Sequence, residues 1–196
     1  IKRVVVGATD PNPAHTGRGL AQLRAADVEV IDGVIDDECL DLNLIFNFWI
    51  KSKQPLIAGK IATTIDGRVG TRARQSKWIT GAAARRDAMR WRRLFPAVGV
   101  GAGTVLADDP QLTSRIGKSV HCPARLVFDR SLRTVGKKLP QVYADENRAR
   151  TIVVTGLMPD AARCAILEQQ GVTVWKLAEK NWFATLREKC AEAAAF

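Results

Sequence analysis

The chain has 196 residues, 46% of them hydrophobic and 26% charged, with 30 basic against 20 acidic side chains and a formal net charge of +10. These proportions belong to an ordinary folded protein, and no apolar run approaches the ~18–20 residues of a membrane span. The charge is uneven. Residues 1–50 hold four basic side chains against eight acids, whereas Arg68 to Arg93 carries nine against one, Asp87. Such a cluster calls for an anionic partner. It lacks the interleaved aromatics of a nucleic-acid reader, so a phosphorylated small molecule is expected and nucleic acid is not.

Taken in chain order, Lys2 to Gly7 predicts a buried strand and Asp10-Pro-Asn-Pro13 a turn. A helix from about Gly19 to Ala26 and a short strand at Val28–Ile31 follow. Asp36 or Asp37 is placed to cap one helix through Leu40, Leu44, Ile45 and Trp49. This β-α-β-α run is too short for a substantial core of its own. Ser52-Lys-Gln-Pro55 reads as a linker. Beyond it, Pro55–Thr64 predicts a strand ending at the Asp66-Gly67 turn. Thr80 is expected to cap a helix from Gly81 to Leu94 with Ala84, Ala88, Trp91 and Phe95 on its inner side. Strands at Ala97–Gly101, Arg125–Phe128 and Thr151–Thr155 precede a helix opened by Pro159-Asp160. A strand at Val172–Leu177 and a helix from about Asn181 into the carboxyl terminus complete the pattern. Alternating strands and helices define an α/β sheet domain.

The segment Gly101-Ala-Gly-Thr-Val-Leu-Ala-Asp-Asp-Pro-Gln-Leu-Thr-Ser-Arg115 gathers two glycines, a hydroxyl, two adjacent carboxylates, a proline and an arginine after an apolar strand. Glycine admits close backbone approach and proline fixes a turn, so this is the expected wall of a small-molecule site. The four cysteines lack any Cys-x-x-Cys pair, and His15 and His121 lack ligand spacing to them. Reduced structural thiols in a cytoplasmic protein are expected, without a metal.

Gly59–Arg68, Ser76-Lys-Trp-Ile-Thr-Gly81 with Ala84-Arg-Arg-Asp87, Gly101–Arg115 and Arg125-Leu-Val-Phe-Asp129 stand in one order and spacing. Together they resemble the reductase domain of the bifunctional riboflavin-biosynthesis deaminase/reductase. Val4-Val-Val-Gly7 and Asp10-Pro-Asn-Pro13 resemble the end of that family's deaminase domain. The resemblance implies an α/β fold with a dihydrofolate-reductase-like domain over residues 55–196, preceded by the end of a cytidine-deaminase-like domain over residues 1–50. It implies NADPH-dependent reduction of the ribosyl group of 5-amino-6-(5-phosphoribosylamino)uracil; a homo-oligomer is expected separately, since a piece with an unfinished sheet needs a partner. The alternative reading is a catalytically incomplete paralogue that binds a nucleotide or pyrimidine.

By position, the resemblance assigns Ser76, Arg92, Leu112 and Arg115 to substrate, the two arginines suiting its phosphate. It assigns Thr63, Trp78, Thr104 and Asp108 to NADPH, and places Lys60 at the reaction centre with Asp108. The family's deaminase zinc signature is absent from these residues, so zinc and deamination are not expected of them. The family's glycine-rich late segment is absent too. With no initiator methionine and an interrupted-looking Ala193-Ala-Ala-Phe196, the chain is expected to be part of something longer.

Overall fold

The computed structural model of the chain describes residues 1–73, 76 and 78–193. These residues divide into two compact units, Ile1–Ile57 and a second beginning at Ala58.

In the first unit, β1 (Arg3–Val5) and β2 (Glu29–Ile31) pair in parallel, with α1 (Arg18–Ala25) as the crossover packed on β2. The expected buried strand is instead mostly exposed, with Val5 at 58% accessibility. A two-stranded ribbon has no second layer to hide both faces. The single helix expected after Asp36 is two, α2 (Asp36–Leu42) and α3 (Leu44–Ser52), broken at Asn43. Asp36 and Asp37 lie in the first turn of α2 rather than at its cap, which is Ile35. Their charges still meet the positive end of the helix dipole.

The second unit is built on a four-stranded, wholly parallel sheet in the order β3-β6-β7-β8. Its strands are β3 (Ala97–Gly101), β6 (Ala124–Phe128), β7 (Thr151–Thr155) and β8 (Thr173–Lys176). Helices cover both faces, which is why the central strands read as nearly continuous apolar runs. On one face Val127 and Val153 meet Val105 of α5 (Ala102–Asp108), Val142 and Tyr143 of α6 (Gln141–Ala144), and Cys164 and Leu167 of α7 (Ala161–Gln169). On the other, Leu126 and Val154 meet Leu186 and Cys190 of α8 (Trp182–Glu192). Adjacent strand residues alternate between the two cores, as the period of two requires. Gly99 is needed where it stands, because a Cβ there would lie 2.8 Å from the Phe128 ring.

Inserted between β3 and β6 is a small antiparallel hairpin, β4 (Ser114–Ile116) with β5 (Ser119–His121). Against β4 packs α4 (Ala82–Leu94). Of the four residues expected together on one side, Ala88 and Phe95 are partly covered and Ala84 and Trp91 exposed, while Arg85, Met89 and Arg92 are partly covered as well. The side that turns inward is the one that can bond the hairpin. Ser114 Oγ donates to the Met89 carbonyl at 2.7 Å and Arg92 Nη1 to that of Thr113 at 2.8 Å. Arg93 Nη1 reaches Ser119 Oγ at 2.8 Å. The helix is capped by Gly81 without a side-chain bond, not by Thr80.

No strand forms over Pro55–Thr64 among the described residues, although the Asp66-Gly67 turn is present, with Gly67 at φ +76° and its N–H bonded to the Thr64 carbonyl. Ile57, Ile61 and Ile65 are largely exposed there. A strand persists only where its backbone groups find a ladder. The end of α8 reaches Glu192; residues 194–196, in the expected continuation of that helix, lie outside the described residues.

Beneath the sheet's carboxyl end Asp129 Oδ2 accepts from the Thr134 N–H and hydroxyl, both at 2.7 Å, and Oδ1 from the Arg133 N–H at 3.1 Å. With the Thr134 proton committed to that carboxylate, the Tyr143 hydroxyl donates to Thr134 Oγ1 at 2.8 Å. Burial pushes the Tyr143 hydroxyl up to about 12. Its folded value lies above the unfolded one near ~10, so this stabilisation is complete below pH ~10 and lost as pH rises through the folded value. Thermal melts between neutral pH and pH ~12 should therefore show a steep alkaline decline that Tyr143→Phe flattens, at a cost of about 1 kcal/mol near neutrality. An unchanged decline in the variant would rule this source out.

Candidate active site

The carboxyl ends of parallel strands are where open α/β sheets bind ligands. Here Gly101 ends β3, paired with Phe128 at the end of β6, and α5 starts at the next residue. Ala102 and Val105 turn into the core, which leaves Gly103, Thr104 and Asp108 exposed. Thr104 and Asp108, four residues apart, share the outward side of the helix. A Cβ on Gly101 would meet nothing within 4 Å, so the space beside that backbone is open.

Asp109 follows with φ +40°, the left-handed residue that ends α5. Its Oδ1 accepts the Gln141 N–H at 2.7 Å, and its own carbonyl takes the Gln141 side-chain amide at 3.2 Å. Of the two adjacent carboxylates, then, Asp109 is committed to closing the loop onto α6. Leu112, also at positive φ (+57°), buries its side chain in the main core, so only its backbone can face a ligand. Thr113 is buried, and its hydroxyl has no hydrogen-bond partner among the described residues. That is a donor and acceptor for a ligand hydroxyl or a water.

Arg92 and Arg115 are brought together across α4 and β4. Burial, and then the Arg115 guanidinium, hold the pKa of Arg92 below its usual value. Both are bonded to neutral acceptors: Arg92 to the Thr113 carbonyl, Arg115 Nη1 to Gln111 Oε1 at 2.9 Å. Neither forms an ion pair with a described residue. Two guanidiniums held close to each other on neutral acceptors suit an anion.

Trp78 is 72% exposed and carries the Arg85 guanidinium over its ring at 4.4 Å. Ser76 is exposed, and the neighbouring Arg74, Gln75 and Lys77 of the basic stretch lie outside the described residues. Lys60 and Thr63 are exposed on the segment that forms no strand, so no ladder fixes them relative to Thr104 or Asp108.

The residues missed in the sequence are those beneath the loop. Arg125, fully buried, donates to Thr151 Oγ1, to the carbonyls of Gln111 and Val142, and twice to Asp145 at 2.6 and 2.8 Å. An arginine inside the apolar run Ala124–Phe128 was the available signal, because a buried charge must be paired. Nothing in the sequence marked Gln141 or Asp145, and Thr113 stood within the Gly101–Arg115 segment without a role of its own.

In the first unit a shallow concavity is lined by Thr9, Asp10, His15 and Arg18. The Asp10–Pro13 turn beside it is closed by the Asn12 N–H bonded to Asp10 Oδ1 at 2.9 Å. Among the described residues no group of three or more His, Cys, Asp or Glu is arranged to hold a metal, and all four cysteines are free. No helix among them is long and apolar enough to cross a membrane.

The arrangement defines an α/β protein with a wholly parallel sheet and, where α4 meets the β4 hairpin, two guanidiniums suited to an anion. Residues 55–192 match the model of the RibD C-terminal domain, and the chain belongs to that family. It is 46% identical over 134 residues to the riboflavin biosynthesis protein RibD of Actinobacillus pleuropneumoniae, covering 68% of this chain and 35% of that protein. The Synechocystis RibD is 36% identical over 191 residues, 96% of this chain and 50% of that one. Among solved structures, the Thermotoga maritima diaminohydroxyphosphoribosylaminopyrimidine deaminase/5-amino-6-(5-phosphoribosylamino)uracil reductase matches with a TM-score of 0.77 at 35% identity. That match covers 98% of this chain and 51% of the Thermotoga one. The chain thus spans half or less of the length of these relatives.

The division of labour between the paired carboxylates is directly testable. Asp109→Asn keeps the Oδ1 acceptor and tolerates the left-handed backbone, so it should fold and turn over like the parent. Asp109→Ala should lose about 1–3 kcal/mol of stability in denaturant melts. Equal damage from both substitutions would mean that the charge itself matters.

Proposed function

We propose that this chain carries the NADPH-dependent reductase that converts the ribosyl group of 5-amino-6-(5-phosphoribosylamino)uracil to the ribityl form in riboflavin biosynthesis. The observation that supports it most is the Arg92–Arg115 pair, held by neutral acceptors of the Gly101–Arg115 segment and in no ion pair with a described residue. Family membership and the named activities of the Thermotoga relative point the same way. In this reading the second unit is a dihydrofolate-reductase-like domain, and residues 1–50 are the end of a cytidine-deaminase-like domain.

The residues present fit a nicotinamide dinucleotide. The unobstructed backbone at Gly101, the Thr104 hydroxyl and the Asp108 carboxylate suit ribose hydroxyls and a carboxamide, and exposed Trp78 suits a ring or ribose face. NADPH, when bound, supplies a hydride. The ring-opened glycosylamine is an imine, and its reduction places that hydride on C1′ and one proton on nitrogen. Arg92 and Arg115 anchor the phosphate, which fixes the distance from phosphate to C1′. Thr113 offers its free hydroxyl to the sugar chain. Asp108 accepts from a sugar hydroxyl, and the Lys60 ammonium delivers the proton to the imine nitrogen. Lys60 lies on a segment without regular structure, so ligand binding must bring it to Asp108. Ser76 and the Leu112 backbone complete the substrate contacts.

The test is oxidation of NADPH by the natural protein in the presence of the phosphoribosylaminouracil, followed by loss of reduced-cofactor absorbance; no turnover would sink the reading. Arg115→Ala should cost about 1.5–3 kcal/mol in substrate binding, one to two decades, with cofactor affinity held. Equal loss of both ligands counts against the assignment. Asp108→Asn should depress kcat in a protein of unchanged melting temperature, and a parental kcat would remove Asp108 from the chemistry.

A further inference from the structure

Gln111 stands at the centre of the loop and is bonded on two sides. Its carbonyl accepts from Arg125 Nη1 at 3.0 Å, and Arg125 is itself buried and locked to Asp145. Its side-chain Oε1 accepts from Arg115 Nη1 at 2.9 Å. A continuous chain of bonds therefore runs from Asp145 through Arg125 and Gln111 to Arg115. The last link is chemically particular. A carboxylate at this position would hold the guanidinium equally well but would neutralise it, whereas an amide holds it and leaves the full positive charge for a ligand. The other guanidinium, Arg92, is likewise held by a neutral carbonyl.

Resting on the reductase reading, we propose that Gln111 is a positioning and specificity-determining residue of that site: its neutral amide orients Arg115 toward the sugar phosphate without competing for its charge. The side chain touches Arg115 rather than the reacting atoms, so its effect falls on phosphate affinity and not on hydride transfer. Two substitutions separate this role from simple packing. Gln111→Glu is nearly isosteric and retains an acceptor for Arg115, so a structural role ranks it nearest to the parent. Gln111→Met keeps the length and removes the acceptor, and a structural role ranks it lower. The proposed role reverses that order.

The experiment titrates parent, Gln111→Met and Gln111→Glu with ribose 5-phosphate, following the phosphorus resonance by NMR, and measures KM and kcat for the phosphoribosylaminouracil beside it. The expected result is affinity falling about threefold in Gln111→Met and about tenfold or more in Gln111→Glu, with kcat and NADPH affinity held. Loss in Gln111→Glu should shrink as salt rises, because it is a charge effect. Gln111→Glu binding as tightly as the parent, or a parent that does not bind ribose 5-phosphate, overturns the proposal. If the affinity order holds while the parent fails to oxidise NADPH, the reductase reading falls and the role of Gln111 stands.

Discussion

A single buried guanidinium ties the second unit together. Arg125 sits in the middle of a central strand, and all five of its N–H donors are spent: one on Thr151, two on the carbonyls of Gln111 and Val142, two on Asp145. Removing one partner of such a pair leaves an uncompensated charge and typically costs about 3–5 kcal/mol. Its acceptors come from the site loop, from α6 and from the neighbouring strand. One side chain thus sets the distance between the ligand-facing loop and the layer beneath it. The Asp109–Gln141 bonds close the same seam a few residues away.

The electrostatics of the site follow from where carboxylates are spent. Asp145 is consumed by Arg125, Asp129 by the backbone and hydroxyl of Thr134, and Asp109 by α6. Arg92 and Arg115 are bonded to neutral oxygens, and Asp108 is exposed on α5. The folded protein keeps the two arginines together through α4, whose inward side is chosen by polar bonds to the hairpin as well as by its apolar residues. Burial, and then Arg115, hold the pKa of Arg92 below its usual value, and an anionic ligand favours its charged form.

The motif Gly101–Arg115 carried its message because glycine and proline each have few structural uses. Within it the resemblance assigned Asp108, not Asp109, to ligand, and gave no physical ground for the difference. Their difference lies in a backbone angle and a partner 32 residues away, and neither has a local signature. Likewise Leu112 occupies a ligand-contacting position by motif, yet its side chain belongs to the core. On α4 the apolar spacing found Ala88 and Phe95 but not Arg85 and Arg92, because apolar periodicity predicts burial only against an apolar surface and here the partner is a hydrogen-bonding hairpin.

By itself the sequence determined the four strands of the main sheet, the helix after Asp160 and the turn at Asp66-Gly67, since these rest on local conformational preference and on period; it did not show α5, the β4–β5 hairpin or α6. Tertiary structure alone decided which charges are neutralised, which of two carboxylates faces outward, and that Pro55–Thr64 has no ladder to join. Each of these depends on contacts between residues far apart in the chain, where pairing and burial override propensity.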